Sequence, residues 1–487
     1  MPEGQSAGQA TDVIWTAAEV VEATGGHLGG ETGFAATGVT FDSREVQPGD
    51  LFVALQGVRD GHDFVAQAFA SGAAGALVSR PMADGPCVIV PDTLKGLEAL
   101  GGYARDRAPH ILRGAVTGSV GKTGVTQMVM RGLSRAGNAH ASVKSFNNHI
   151  GVPLTLARMP KSAQRAVFEI GMNHANEITP LSKMVQPHAV VITTVGPVHT
   201  ENFADGERGV AQAKAEIFDG LGPQGLAILN GDNPWFDLLK AKALQHGARV
   251  ARFGVDEAAD ARLLDFRADG AGSRIEARIW GRDYVFALKQ TGFHHGMNAM
   301  AVLLMLDALD VPIETGLEAL ADFTPLAGRG QIHTITGPKG TFALVDESYN
   351  ANPLSMRASL ANLCQSQPGP GGRRIAVLTD MLELGADAAE QHALLAQTIE
   401  TDGIDLVFCA GPMMKHLWDV LPQGAKGGYA LEAAGLVSAV QDAVREGDVV
   451  MVKGSNGSRA SLLTRALTDR VQNKAEPETV SSGVGQG

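Results

Sequence analysis

The stretch Gly114-Ala-Val-Thr-Gly-Ser-Val-Gly-Lys-Thr123 decides how the rest of the chain is read. Its first residues are small and apolar, as a buried strand requires. Gly118-Ser-Val-Gly121 then breaks the strand, and Lys122-Thr123 precede a helical pattern from about Val125. Glycines let successive backbone N–H groups turn toward one point, and the helix N-terminus adds partial positive charge. A lysine there meets the outer phosphates of a nucleotide, and a threonine hydroxyl can ligate Mg²⁺. The full Walker spacing would need a glycine at Val116, so this is the shorter G-x-x-G-K-T led by Gly118. In isolation the hexamer could be a plain glycine-rich turn. Its strand–loop–helix setting instead predicts a phosphate cradle made of Gly118, Ser119, Val120, Gly121, Lys122 and Thr123.

Working outward, 487 residues suggest about three domains, and 44% hydrophobic against 19% charged residues is a globular balance. A formal net charge of −12 argues against nucleic acid as a partner, because a phosphate backbone demands a basic face. The three cysteines, Cys87, Cys364 and Cys409, are too widely spaced for a disulfide framework or a metal knot. Cys87 and Cys409 sit in apolar runs and are expected to be buried. No apolar run is long enough to span a bilayer, and Met1 to Asp12 lacks the features of a secretory signal. A cytoplasmic location is expected.

The fold class expected is α/β in three domains, with boundaries at 1–108, 109–333 and 334–487. Residues 1–12 and the tail from about Ala475 are small and polar and read as loose. A capping box at Thr16-Ala-Ala-Glu19 opens the first helix, which stops at Gly25-Gly26. Strand-like runs at Gly38–Phe41, Leu51–Ala54, Ala76–Val78 and Cys87–Val90 make a small α/β unit. Asp42-Ser-Arg44 stands at a strand end, where an arginine could clamp a diphosphate. The central region carries near-continuous apolar strands, Val167–Ile170 and Ala189–Thr194, as a buried parallel sheet requires. Such sheets bind ligands beyond the carboxyl ends of their strands. Glu169 and, in Gly196-Pro-Val-His199, His199 lie at such ends and suit a cation beside the phosphate loop. Val210–Phe218 reads as an amphipathic helix whose Lys214 and Glu216 face solvent. The region 250–290 reads as an antiparallel edge. Strands at Ala343–Val345, Ile375–Leu378, Leu406–Cys409 and Val449–Val452 predict a Rossmann-like, doubly wound third domain. No G-x-G-x-x-G follows its first strand, which disfavours a dinucleotide cofactor.

Five further motifs stand out: Asp346-Glu-Ser-Tyr-Asn-Ala-Asn-Pro353, Asn147-Asn-His-Ile-Gly-Val-Pro153, Ala213-Lys-Ala-Glu-Ile-Phe218, Asp380-Met-Leu-Glu-Leu-Gly385 and Val452-Lys-Gly-Ser455. Together they resemble one known family, the ATP-dependent Mur ligases of bacterial cell-wall synthesis. The first is most similar to the branch that joins D-alanyl-D-alanine to UDP-N-acetylmuramoyl-tripeptide. The resemblance spans nearly the whole chain between the tails. It implies an amide ligase using ATP and Mg²⁺ through an acyl phosphate, and it implies a small N-terminal UDP-substrate domain and a central ATPase domain. It also implies that Thr123, Glu169 and His199 hold Mg²⁺, and that Lys214 acts as a carbamate, which reverses the solvent-facing reading. Asn298 and Asp346 would contact the nucleoside, and Arg329 the ATP phosphates. Ser43 and Arg44 would lie by the UDP, and Asn147 and Asn148 by its sugar–peptide part. Tyr349, Asn350, Asn352 and Lys453 would serve the substrates from the third domain, which is expected to swing in. The protein is expected to be a monomer. Departures from the family pattern are His295 and Asn456, where Asn and Arg are usual, and Thr379 in place of Gly.

Two rival readings are a sister ligase that adds a single amino acid and a non-catalytic nucleotide switch. The Tyr349-Asn-Ala-Asn-Pro353 signature argues against the first. The lack of an Asn-Lys-x-Asp guanine motif argues against the second.

Overall fold

The computed structural model describes residues 12–30, 33–143, 145–198, 200–269 and 272–472. The two tails read as loose therefore lie almost wholly outside the described residues. The chain divides into two compact units. One comprises Met1–Val195, Ala211–Phe253 and Ala301–Ala319, and the other Gly196–Val210, Gly254–Met300 and Leu320–Gly487.

Among the described residues the first unit holds a two-stranded antiparallel ribbon, Trp15–Thr16 with Ala35–Ala36, a small five-stranded sheet, and the parallel strands of a larger sheet. Near the N-terminus, the capping box forms as read: Thr16 and Glu19 cap the helix Ala17–Thr24, and Gly25 ends it in the left-handed region. Beyond it, strands Gly38–Thr40, Asp50–Val53, Gly75–Val78 and Cys87–Ile89 run parallel, with His27–Leu28 antiparallel at one edge. Trp15, with no solvent exposure, anchors the layer, and its indole donates to the Ala157 carbonyl at 2.8 Å. Cys87 is buried as expected, and burial pushes its thiol up to about 11.

Within this unit the larger sheet runs its strands all parallel. Their order is Arg249–Gly254, Leu226–Asn230, Ala189–Ile192, Leu112–Thr117, Arg165–Glu169 and Ala139–Ala141. Every residue of Ala189–Ile192 is buried, because helices cover both faces of such a sheet. Met305 and Leu306 of the helix Phe293–Ala308 close on Gly114 and Gly132, where a Cβ would stand 2.7 and 2.5 Å from their side chains. Those glycines exist for close packing.

The second unit contains the antiparallel meander Ala261–Asp269, Gly272–Ile279 and Arg282–Leu288. It also contains a six-stranded sheet ordered Gln331–Gly337, Gly340–Glu347, Val449–Lys453, Arg374–Thr379, Leu406–Ala410 and Lys426–Ala430. Only the Gln331–Gly337 edge is antiparallel. One core, including Met356, Leu360, Leu378 and Met451, lies on one face. A second, including Leu344, Val377, Val440 and Leu463, lies on the other, which is the layering of a doubly wound fold. The α/β class expected from the sequence holds throughout. Among the described residues no helix is long and apolar enough to cross a membrane.

Candidate active site

In the first unit the site begins at the end of Leu112–Thr117. Gly118 takes φ 152° and Gly121 φ 87°, and the helix Lys122–Ala136 starts at once. Positive φ at Gly121 is open to glycine at little cost. A Cβ on Gly118 would meet the Thr193 hydroxyl at 1.9 Å, so the loop backbone leaves no room for a side chain there. Thr193 Oγ1 donates to the Val120 carbonyl at 2.5 Å, and Ser119 N–H to the Thr194 carbonyl at 2.8 Å. These bonds hold the loop from the neighbouring strand. Gly121 offers no side-chain cap, so the first N–H groups of the helix get no side-chain partner from their N-cap residue. Lys122 Nζ donates to the Gly118 carbonyl at 2.8 Å, folding the ammonium across the loop. Thr123 is buried, with its hydroxyl 3.4 Å from that of Ser145.

The strands on either side aim at the same edge. Glu169 ends its strand in register with Val116, and Ile192, just before Thr193, pairs with Thr117. The Glu169 carboxylate is 1% exposed. One oxygen accepts from the Asn147 amide at 2.7 Å, while the other is buried without a partner among the described residues. A buried lone carboxylate oxygen is costly unless something binds it. Mg²⁺ is hard, takes oxygen ligands, and typically uses one or two carboxylates with waters and phosphate oxygens. Glu169 and Thr123 fit that donor set. Among the described residues, no cluster of three or more His, Cys, Asp or Glu side chains could hold a metal unaided. His199 lies outside the described residues.

Lys214 corrects the reading from periodicity. Its helix is Glu207–Ala215, and Glu216 opens a separate 3₁₀ turn, Glu216–Gly220. Lys214 is 3% exposed, and burial followed by the charge of Lys122 holds its amine well below the usual lysine range. Glu216 does not face solvent either. Its carboxylate accepts from the N–H groups of Asn176, Ile178 and Thr179, capping the helix Ile178–Val185. Lowered proton affinity makes such an amine a more available nucleophile than an exposed ammonium.

Other residues singled out in this unit have definite local tasks. Ser43 is buried and donates to Gln67 at 3.2 Å. Arg44 is 75% exposed and pairs with Asp42 at 2.6 Å, so its guanidinium stands in solvent at a strand end. The Asn148 side-chain oxygen accepts from Ile150 and Gly151 N–H and starts the helix Gly151–Ala157.

The second unit gathers a separate cluster at the carboxyl ends of its parallel strands. Asp346 is buried and accepts from Gly328 N–H at 2.8 Å, Ser348 N–H at 3.2 Å and the Thr464 hydroxyl at 3.1 Å. Arg329 stacks 4.1 Å from the ring centre of Tyr349. Lys453 is 2% exposed and contacts Glu347 and Asn350. Asn352 caps the helix Pro353–Gln365 through a reciprocal bond with Ser355. Asn298 is half-buried near the start of the helix Phe293–Ala308. Close by in sequence, the His294 and His295 rings lie 4.0 Å apart, both held below the usual imidazole range by burial. The Gln290 side-chain amide faces the His295 ring at 3.3 Å, and its Oε1 is buried without a partner among the described residues. Thr193, Gln290 and Glu347 escaped the sequence reading. Thr193 and Glu347 stand at strand ends, the same signal that found Glu169. Gln290 carries none.

Residues 35–95 match the Mur ligase family catalytic domain, 116–306 the Mur ligase middle domain, and 328–456 the Mur ligase glutamate ligase domain. The UDP-N-acetylmuramoyl-tripeptide–D-alanyl-D-alanine ligase of Escherichia coli is 33% identical over 88% of this chain and 93% of its own. The ligase of the same name from Rickettsia prowazekii is 30% identical over 86% and 92%. Among solved structures, MurF from Acinetobacter baumannii superposes with a TM-score of 0.82 at 28% identity, covering 93% of this chain and 99% of that one. With matches of this depth along nearly the full length of both partners, the chain belongs to the Mur ligase family.

Proposed function

We infer that this chain is an ATP-dependent amide ligase that joins D-alanyl-D-alanine to UDP-N-acetylmuramoyl-tripeptide. The products are the UDP-muramoyl-pentapeptide, ADP and phosphate. Relatives named for this reaction, 30–33% identical over most of their length, support the substrates. The observation that carries the chemistry is the cradle at Gly118–Thr123, flanked by the lone oxygen of Glu169 and the buried amine of Lys214.

The reaction balances in two steps. The tripeptide carboxylate takes the γ-phosphoryl group of ATP, releasing ADP and forming an acyl phosphate. The dipeptide amine then attacks the acyl carbon, loses a proton, and phosphate leaves. Phosphoryl transfer of this kind depends mainly on positioning and charge neutralisation. The loop N–H groups and Lys122 bind the phosphates. Thr123, Glu169 and His199 are assigned to Mg²⁺, which when bound supplies neutralising charge at the transferring phosphoryl group. Lys214 serves them as a carbamate: its depressed amine adds CO₂, and the product is a carboxylate where an ammonium would be repelled.

The remaining assignments follow the family motifs. Asn298 and Asp346 serve the nucleoside, Arg329 the ATP phosphates, and Ser43 and Arg44 the UDP. Asn147 and Asn148 lie by the sugar–peptide part. Tyr349, Asn350, Asn352 and Lys453 serve the incoming dipeptide and the acyl group. For Asn148 and Asn352, whose side-chain oxygens already accept from backbone N–H groups at helix starts, the amide N–H₂ is the group left for substrate. The division into 1–108, 109–333 and 334–487 assigns these tasks to three domains, in a monomeric cytoplasmic enzyme. Phosphate release measured with each substrate omitted in turn tests the assignment. Release that is independent of D-alanyl-D-alanine, or satisfied by a single amino acid, would refute it.

A further inference from the structure

Lys453 and Glu347 are each the last residue of their strands, Val449–Lys453 and Gly340–Glu347. These strands are parallel, and the two residues face each other in register. Ligands of α/β sheets gather at such strand ends. The Lys453 side chain is 2% exposed and that of Glu347 is 15% exposed. Lys453 Nζ donates to Glu347 Oε2 at 3.2 Å and to the Asn350 carbonyl at 3.2 Å. Between those two acceptors the chain turns through buried Ser348 and exposed Tyr349. One ammonium thus ties a strand end to the loop that follows its neighbour.

An ammonium has three donors and no acceptor. Two donors are committed here, which leaves one N–H for an anionic ligand. The lysine stem is flexible, and an untethered ammonium samples many positions. Position therefore comes from the carboxylate. His294 senses both charges, since Glu347 raises and Lys453 lowers its proton affinity, although burial outweighs both.

We propose that Glu347 is a positioning residue. Its carboxylate holds the Lys453 ammonium in place, and through Lys453 it fixes the loop at 348–350 that presents Tyr349 and Asn350 to the incoming dipeptide. The substrate half of this inference rests on the proposed function, while the clamp itself rests on the geometry alone. Neutralising Glu347 leaves a buried ammonium with one strong partner fewer and frees the loop. Aspartate keeps the charge, and the long lysine stem follows it.

Hydrogen exchange on the ligand-free full chain tests the clamp without any need for activity. In Glu347→Gln, amides at 348–352 should exchange about tenfold faster, while those of the helix Lys122–Ala136 and the strand Arg374–Thr379 stay unchanged. Glu347→Asp should restore most of the protection. In steady state, Glu347→Gln should raise KM for D-alanyl-D-alanine by about tenfold and leave KM for ATP unchanged, with Glu347→Asp again recovering most of the loss. A residue needed only for stability would speed exchange across the whole sheet and would not split the two KM values. Unchanged exchange at 348–352 in Glu347→Gln overturns the clamp. Faster exchange with an unchanged KM for the dipeptide overturns its role in substrate binding. If the unmodified chain shows no dipeptide-dependent turnover, the proposed function fails, and exchange alone decides the clamp.

Discussion

Replacing Lys214 by methionine should stabilise the unit that holds it, and the gain should shrink as pH rises. The side chain is 3% exposed, and burial together with the Lys122 charge holds its amine well below the usual range. An unfolded lysine titrates near pH ~10.4. Between the depressed folded value and that point, the unfolded chain binds the extra proton, so stability rises with pH across this window. Above it the two states bind alike, and the penalty disappears. Each pH unit inside the window is worth about 1.4 kcal/mol. Lys214→Met has no such group and lacks that slope. The methionine variant should therefore lead most at the low end of the pH range, and its lead should fall by about 1.4 kcal/mol for each unit crossed inside the window. The assay is urea unfolding in CO₂-free buffer from pH 7 to 10, followed by hydrogen exchange in the helix Lys122–Ala136, which reports on this unit. Removing CO₂ matters because a carbamate would turn the group into an anion. A difference between the two proteins that does not change with pH would refute the reasoning.

Two further outcomes concern the chemistry. Lys122→Ala should keep the fold and lose turnover by ~10²–10³, as when a preorganised electrostatic contact to the transition state is removed; near-normal turnover in folded protein would contradict the cradle assignment. Lys214→Ala should be inactive and regain part of its turnover with added acetate, which replaces the missing carboxylate; full activity without acetate would return Lys214 to a structural role.

The strand–loop–helix at Gly114–Thr123 was legible because glycines spaced this closely between an apolar run and a helical pattern break the chain whatever packs around them. Glu169 was legible from its place at the end of an apolar strand. Lys214 was not legible from periodicity. Its neighbours Val210-Ala-Gln-Ala are too small to mark one face, and the helix ends before Glu216, which turns to cap another helix. The edge strands Gln331–Gly337 and Lys426–Ala430 also escaped. Lys426-Gly-Gly-Tyr-Ala430 has little strand preference of its own and gains its conformation from pairing with Leu406–Ala410. Asp346 and Glu347 are adjacent in one strand and so point to opposite faces. Which of them meets Lys453 depends on cross-strand register, which sequence spacing does not carry.

The central claim is a reaction with two obligatory substrates, and phosphate release tests it most directly. With ATP and Mg²⁺ present, release should need both UDP-N-acetylmuramoyl-tripeptide and D-alanyl-D-alanine, and it should match pentapeptide product one for one. Release that persists without the dipeptide, or that single amino acids support equally well, would contradict the account.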